Sequence, residues 1–459
     1  MRLVIFGTGK LYQTFKKKIN REDKIIAFLD NDRKKTGKKM DDAYVFLPED
    51  IKLLNYDQII LVSQYARQMQ KQLLELGCNR EQIIHFAEYN SNVENPIQYY
   101  QALGIKNKQQ RKMAIISNSL GYHGGAIAVL NCALALKDSY CDIDLIAEEG
   151  TQSFINEINK QGISVILCPN ISMNKWEKIK WLDQYDYILV NTLPMILCAI
   201  EIAKYRPVFV WLHDSENIYD YMDYWKEDIL QGLNSNVKIY AVSDIAKKNF
   251  ICSIGRWPID LLPCGIPEAK NRCVKKSKLV FAVIGSIYPI KGQDIFIRAL
   301  KKLSKTYYCQ AQFWIIGKVM DEDYYQQLRK LGKGLDNLFF CGEIEKSKMQ
   351  EIYSQIDILV VPSRNETLSL TAIEAMSYGN PCIVSDAAGI TQYISNMQNG
   401  IVFKNARVDE LAERLYWCIQ NKNEVIKMKK EAKKTYERFF TMNVFQNNLL
   451  DILQIESDA

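Results

Sequence analysis

Two carboxylates stand eight residues apart in Pro362-Ser363-Arg364-Asn365-Glu366-Thr367-Leu368-Ser369-Leu370-Thr371-Ala372-Ile373-Glu374-Ala375-Met376, which reads as the end of an apolar strand, a loop and a helix. That pattern predicts Glu366 in a loop at the carboxyl end of the strand 358–361, where parallel sheets bind ligands, and Glu374 about one turn into the helix. The amides of Leu368, Ser369 and Leu370, expected to open the helix, make an anion site whose dipole favours a phosphate. Glu366 and Glu374 on either side, with Thr367 between them, suit sugar or ribose hydroxyls. A phosphate between two hydroxyl acceptors describes a sugar nucleotide. Upstream, Val283-Ile284-Gly285-Ser286-Ile287-Tyr288-Pro289-Ile290-Lys291-Gly292 joins a second strand to a second helix. Here Gly285 lets backbone approach a ligand, and Lys291 supplies a point charge for a diphosphate. Earlier still, His123, Gly124 and Gly125 open a helix after a strand, and His213 ends another strand in Trp211-Leu212-His213-Asp214-Ser215. The chain has only three histidines, so one at a strand end draws notice.

The elements that must hold these residues follow from an alternation of short β-rich apolar runs with segments of helical period, repeated from end to end, which predicts parallel α/β architecture. Polar breaks divide the chain into an accessory Rossmann-like block at 1–92, a linker at 93–111, a block at 112–272 and a block at 273–440. A final amphipathic helix within 441–459, with Thr441 as N-cap and Phe445, Leu449, Leu450 and Leu453 on one face, is expected to pack back on the second block. In the front block Gly7-Thr8-Gly9 follows the first strand, and Asp30 lies 21 residues after Gly9, the spacing that puts an acid on a ribose in dinucleotide folds. Tyr12 stands where the third glycine would be. The block is read either as a nucleotide or sugar-nucleotide site using Gly7, Gly9 and Asp30, or as an oligomerisation or scaffolding module.

Composition narrows the classes. With 459 residues, 48% hydrophobic and 24% charged, the chain is too long for one small binding module and too apolar for disorder. A net charge of +6 is too mild for a dedicated nucleic-acid binder. Twelve cysteines are scattered without a C-x-x-C pair, which fits reduced thiols in a cytosol. The start Met1-Arg2-Leu3-Val4-Ile5-Phe6-Gly7 is too short an apolar run for a signal peptide, and the apolar stretch 187–205 is broken by Asn191, Thr192, Pro194 and Glu201. Lys175-Trp176-Glu177-Lys178-Ile179-Lys180-Trp181-Leu182 mixes cations with tryptophans, as interfacial helices do, and suggests peripheral membrane contact. Three Asp-x-Asp pairs (30/32, 142/144, 321/323) are discounted as metal ligands from their places outside the expected blocks or at the starts of a strand and a surface helix.

The glutamate segment resembles the signature E-x-x-x-L-x-x-x-E-A-M-x-x-G-x-P of the retaining family 4 glycosyltransferases of the GT-B fold: Glu366, Leu370, Glu374, Ala375, Met376, Gly379 and Pro381 all match. The likeness runs by motif order over about 112–455. It takes in Gly285 to Gly292, Tyr240-Ala241-Val242-Ser243, Leu262-Pro263-Cys264-Gly265-Ile266 and the glycine-rich loop at Gly124-Gly125. What it implies is two Rossmann-like domains around a cleft, acceptor-side first and donor-binding second, with no cofactor or metal required. The donor is a nucleotide diphosphate-sugar, a UDP-sugar favoured, and the acceptor a saccharide or lipid-linked saccharide. The resemblance makes Glu366, Lys291 and His213 catalytic. Glu366 contacts donor-sugar hydroxyls, Glu374 holds the ribose, and His213 touches the donor sugar. Ser286 stands where the family has arginine, leaving Lys291 with more of the diphosphate's charge or an unrecognised basic residue to compensate. The front block resembles small nucleotide-binding domains fused to polysaccharide-assembly enzymes and sugar acyltransferases. The implied role is surface-polysaccharide or glycoconjugate assembly in the cytoplasm or on the inner membrane face. A catalytically weak partner subunit that binds nucleotide sugar, and a hydrolysing sugar-nucleotide epimerase, are the competing readings.

Overall fold

The computed structural model describes residues 1–91, 96–102, 111–137, 140–269 and 278–455 and contains three sheets. The apolar runs become central parallel strands because helices cover both faces: Arg2–Phe6, Leu279–Ile284 and Ile358–Val361 bury nearly every side chain. The front sheet has six strands in the spatial order Lys39–Met40, Ala43–Phe46, Lys24–Leu29, Arg2–Phe6, Gln58–Leu61, Ile83–His85. The second has eight, Ile259–Leu261, Val237–Ala241, Val208–Leu212, Tyr187–Asn191, Lys112–Leu120, Asp142–Gly150, Ser164–Leu167 and Gln98–Tyr100. The third has six, Leu338–Gly342, Ala311–Ile316, Leu279–Ile284, Ile358–Val361, Cys382–Ser385 and Gly400–Phe403. In each, the first long strand sits beside a later one where the winding reverses, and such a reversal leaves a crevice at the strands' carboxyl ends.

The expected α/β class is what the structure has. The expected linker is not wholly a linker: Gln98–Tyr100 pairs antiparallel with Ser164–Leu167 as the edge of the second sheet. Residues 92–95 and 103–110, and 270–277 at the second break, lie outside the described residues. One apolar cluster runs from a face of the front sheet through the second sheet into the third, and a separate cluster fills the far face of the third. The front sheet is therefore joined to the second by shared core. At that joint Arg67 meets Asp223 at 3.1 Å and Glu227 at 3.0 Å, and Trp225 Nε1 donates to Glu88 at 3.0 Å. His85, fully buried, sits among the rings of Phe86, Tyr221, Tyr224 and Trp225. The final helix Met442–Leu453 is capped by the Thr441 hydroxyl, stacks Phe445 on Trp211 and reaches the Ala135 carbonyl through Gln446 at 2.5 Å. It thereby straps the helix Gly124–Leu136 of the second sheet. No helix among the described residues is long and apolar enough to cross a membrane.

The tryptophan-lysine segment is not an interfacial helix. It forms a four-residue helix, Trp176–Ile179, and a 3₁₀ turn, Lys180–Gln184. Trp176 is buried and stacked on Tyr205 at 4.6 Å, and Trp181 packs against the core, so the face that would meet a bilayer points inward.

Candidate active site

The reversal points of the second and third sheets face each other across a cleft of about 540 Å³. From the third sheet, Gly285, Ser286 and Lys291 follow one strand, and Glu366, Thr367, Leu368, Ser369, Leu370 and Glu374 follow the neighbouring one. From the second come His123, Gly124, Gly125 and His213. Thus the residues singled out over more than 250 positions of sequence line one cavity, whereas Gly7, Gly9 and Asp30 do not.

On the third-sheet wall, Lys291 Nζ is paired with the Glu366 carboxylate. Burial alone would depress the lysine's pKa, but the Glu366 charge outweighs it and the pKa is raised, so the ammonium is firmly charged. Glu374 lies on the helix Leu370–Ser377, where burial raises its pKa against the opposing hydrogen bond from the Tyr353 hydroxyl, 2.5 Å from Oε2. The helix begins one or two residues later than expected. Ser369 precedes it in a left-handed conformation (φ 83°, ψ 87°), a strained state for a residue other than glycine. Leu368 to Thr371 all line the cleft, and the free first-turn amides of the helix are those of Leu370 and Thr371.

The other wall is tied to this one through Thr367, whose hydroxyl donates to the His213 carbonyl at 2.8 Å and whose carbonyl accepts from Ser243 Oγ. His213 Nε2 has no partner, and burial holds the ring's pKa down to about 3, so at neutral pH the imidazole is uncharged. Its neighbour Asp214 accepts from the Leu193 amide at 2.6 Å, and burial lifts its pKa to about 6. His123 lines the cleft and also caps a helix: its Nδ1 accepts from the Ala126 amide as the N-cap of Gly124–Leu136, and Nε2 meets Ser119 Oγ at 3.1 Å. Lys346 bridges to Glu157 at 2.7 Å, a further link between the two halves. Tyr353, Thr367's bridging contacts and Ser243 carry the assembly of the site. Of these, Thr367 and Ser243 lie in segments whose pattern pointed to them, and Tyr353 does not.

The front corner is different. Asp30 accepts from the Thr8 hydroxyl, from Lys35 Nζ at 2.8 Å and from the Asp32 amide at 2.9 Å, and these contacts outweigh burial to hold its pKa below the usual range. Both carboxylate oxygens are thus taken by the protein itself, and the helix after Gly9, Lys10–Phe15, has only six residues. Asp30 anchors a loop here, and to accept from a ribose, as expected, it would have to share or give up these contacts.

Residues 267–435 match the family model described as Glycosyl transferases group 1, and residues 1–84 match that described as C2185-like, N-terminal. An uncharacterized glycosyltransferase of Haemophilus influenzae is 24% identical over 345 residues, 70% of this chain and 94% of the relative. The structure is similar to that of HepE from Anabaena in complex with UDP and glucose, with a TM-score of 0.64 at 17% identity over 76% of this chain and 100% of that one. It is also similar to the lipopolysaccharide outer core galactosyltransferase WaaB, with a TM-score of 0.60 at 20% identity over 75% and 99% of the two chains. The fold is GT-B, and the family match and the relative support a glycosyltransferase.

Proposed function

We propose that the protein is a retaining glycosyltransferase of family 4 type that moves a hexose-type sugar from a nucleotide diphosphate, UDP foremost, to a saccharide or glycoconjugate. The observation that carries the reading is the convergence of Lys291, Glu366 and Glu374 from one half, and His213 and Gly124-Gly125 from the other, on one cleft. HepE, which shares the fold, was solved with UDP and glucose, in keeping with a UDP-sugar donor. In this reading 112–272 is the acceptor-side domain and 273–440 the donor domain, and the work is cytoplasmic assembly of surface polysaccharide or glycoconjugate. Glu374 accepts from the ribose hydroxyls. Lys291 leaves Glu366 for the diphosphate, assisted by the amides of Leu370 and Thr371, and the freed Glu366 carboxylate accepts from the donor sugar. The neutral His213 hydrogen-bonds the same sugar without contributing charge. The acceptor hydroxyl then attacks the anomeric carbon on the face from which the diphosphate departs. As the carbon–oxygen bond to phosphate breaks, the hydroxyl proton passes to the leaving phosphate oxygen, so no side chain serves as a strong base and no metal is called on.

Calorimetry with UDP, GDP and their sugars, followed by mass spectrometry and NMR of product on candidate acceptors, tests this. Tight binding of one nucleotide sugar and a product of unchanged anomeric configuration are expected. An inverted product overturns the mechanism, and binding without turnover favours a partner subunit.

A further inference from the structure

Among the described residues, Lys291 is the only lysine or arginine lining the cleft, and it stands in a 3₁₀ turn of three residues, Pro289–Lys291. So short a turn cannot fix a long side chain by itself. Its neighbours, however, are tied one after another to the segment that leads into Glu366. The Arg364 guanidinium Nη1 donates to the Pro289 carbonyl at 2.6 Å, and the Arg364 amide donates to the Ile290 carbonyl at 2.8 Å. Gly292 lies so close to the Pro362 carbonyl that a Cβ there would come within 2.0 Å of its oxygen. Three residues beyond Lys291, Asp294 takes the guanidinium in a two-pronged pair at 2.9 and 2.8 Å and also accepts from the Tyr324 hydroxyl at 2.8 Å. Arg364 does not line the cleft, so its charge is spent on Asp294 and does not replace the arginine absent at position 286.

We propose that Arg364, held by Asp294, is a positioning residue that sets the Lys291 ammonium relative to Glu366 and to the diphosphate of the donor. The proposal rests on the reading of Lys291 given above. The guanidinium suits this role because one planar fork meets a carboxylate on two points while a third N–H reaches a carbonyl, which an ammonium on a flexible stem cannot reproduce. A misplacement of about 1 Å in a charged group costs on the order of 10²-fold in turnover, so the clamp matters although it touches no substrate.

The test compares UDP with uridine, which lacks the diphosphate, by calorimetry on the full chain carrying Arg364→Gln or, to retain the charge, Arg364→Lys. Each variant is expected to weaken UDP on the order of tenfold with uridine affinity unchanged. In a Lys291→Ala background, Arg364→Gln should cost UDP nothing further. An equal loss for UDP and uridine, or a loss that persists without Lys291, would overturn the positioning role and leave a merely structural one. If Arg364→Gln proves unfolded, Arg364→Lys decides by the same two comparisons. Lys291→Ala with an unchanged preference for UDP over uridine is a distinct failure, that of the lysine's own assignment.

Discussion

The front sheet and the third sheet are wound alike and each ends its first strand in a glycine with positive φ, but the two corners have opposite surroundings. At Gly285 (φ +149°) a Cβ would meet nothing within 4 Å, and the space in front of it is the cleft. At Gly7 (φ +114°) a Cβ would lie 2.4 Å from the Val62 carbonyl oxygen, so the glycine is needed for the chain's own close packing. The polar groups differ in the same sense. Beside the open corner, His213 Nε2 and Asn365 Oδ1 are left without partners, whereas at the closed one Thr8, Asp30 and Lys35 satisfy one another. A strand-glycine-helix pattern reports a backbone requirement. Only space together with unspent hydrogen-bonding groups turns it into a place for a ligand.

The largest effect expected from this contrast is in turnover. Lys291→Ala should lower turnover on the order of 10²–10³-fold, because it removes from the departing diphosphate the one lysine or arginine that lines the cleft among the described residues. Asp30→Ala should leave turnover within about twofold. Steady-state assays of the two variants side by side check the pair, and a loss of comparable size in Asp30→Ala would reopen the front corner as a ligand site. Gly7→Ala reverses the pattern: the added methyl has to displace backbone, and the protein should lose about 3 kcal/mol of stability in urea unfolding while nucleotide affinity is retained. A Gly7→Ala protein as stable as the parent would mean that the corner opens readily.

The contrast also accounts for what was legible in the sequence. Long apolar strands announce themselves because burial on both faces leaves only apolar residues, so the α/β alternation follows from pattern alone, whereas the order of the strands in each sheet, and with it the reversal points, does not. The edges Gln98–Tyr100 and Ile259–Leu261, three residues each, are too short to carry a period. Residues that line the cleft were legible where a family's spacing repeats, as at Glu366 and Glu374. What sequence could not show is which groups the protein uses up internally. Asp30, with the spacing of a ribose ligand, is paired with Lys35, and His123, in the place of a site histidine, lines the cleft and also caps a helix. Arg364 and Asp294 lie within three residues of Glu366 and Lys291, but that they meet is a property of two adjacent parallel strands.

Glu374→Ala is the next smaller effect. Removing the carboxylate should weaken UDP by about 1–3 kcal/mol, since the ribose hydroxyls then lose their acceptor in a desolvated site. Tyr353→Phe, which removes only the hydroxyl that steadies Glu374, should cost less, about 1 kcal/mol. Calorimetry on both orders them. A Tyr353→Phe loss exceeding that of Glu374→Ala would mean that the tyrosine, and not the carboxylate, meets the nucleotide.

The smallest effect concerns how the closed front sheet is held against the second. Burial among four rings holds the His85 pKa down to about 3, against about 6.5 in an unfolded chain. Above pH 6.5 the ring is neutral in both states and contributes no pH dependence. As the pH falls below 6.5 the unfolded chain takes up a proton that the folded one refuses, so stability declines, by about 1 kcal/mol at pH 5.5, and goes on declining toward pH 3. His85→Phe, which keeps an apolar ring in the cage, should remove that share of the difference between urea unfolding at pH 7.5 and at pH 5.5. The share belonging to His213, whose ring is likewise held near 3, should remain. If the pH difference is the same with and without His85, the imidazole reaches water in solution. The front sheet would then be a domain that lifts off the Tyr221–Trp225 surface, and its closed corner would be free to meet something other than its own chain.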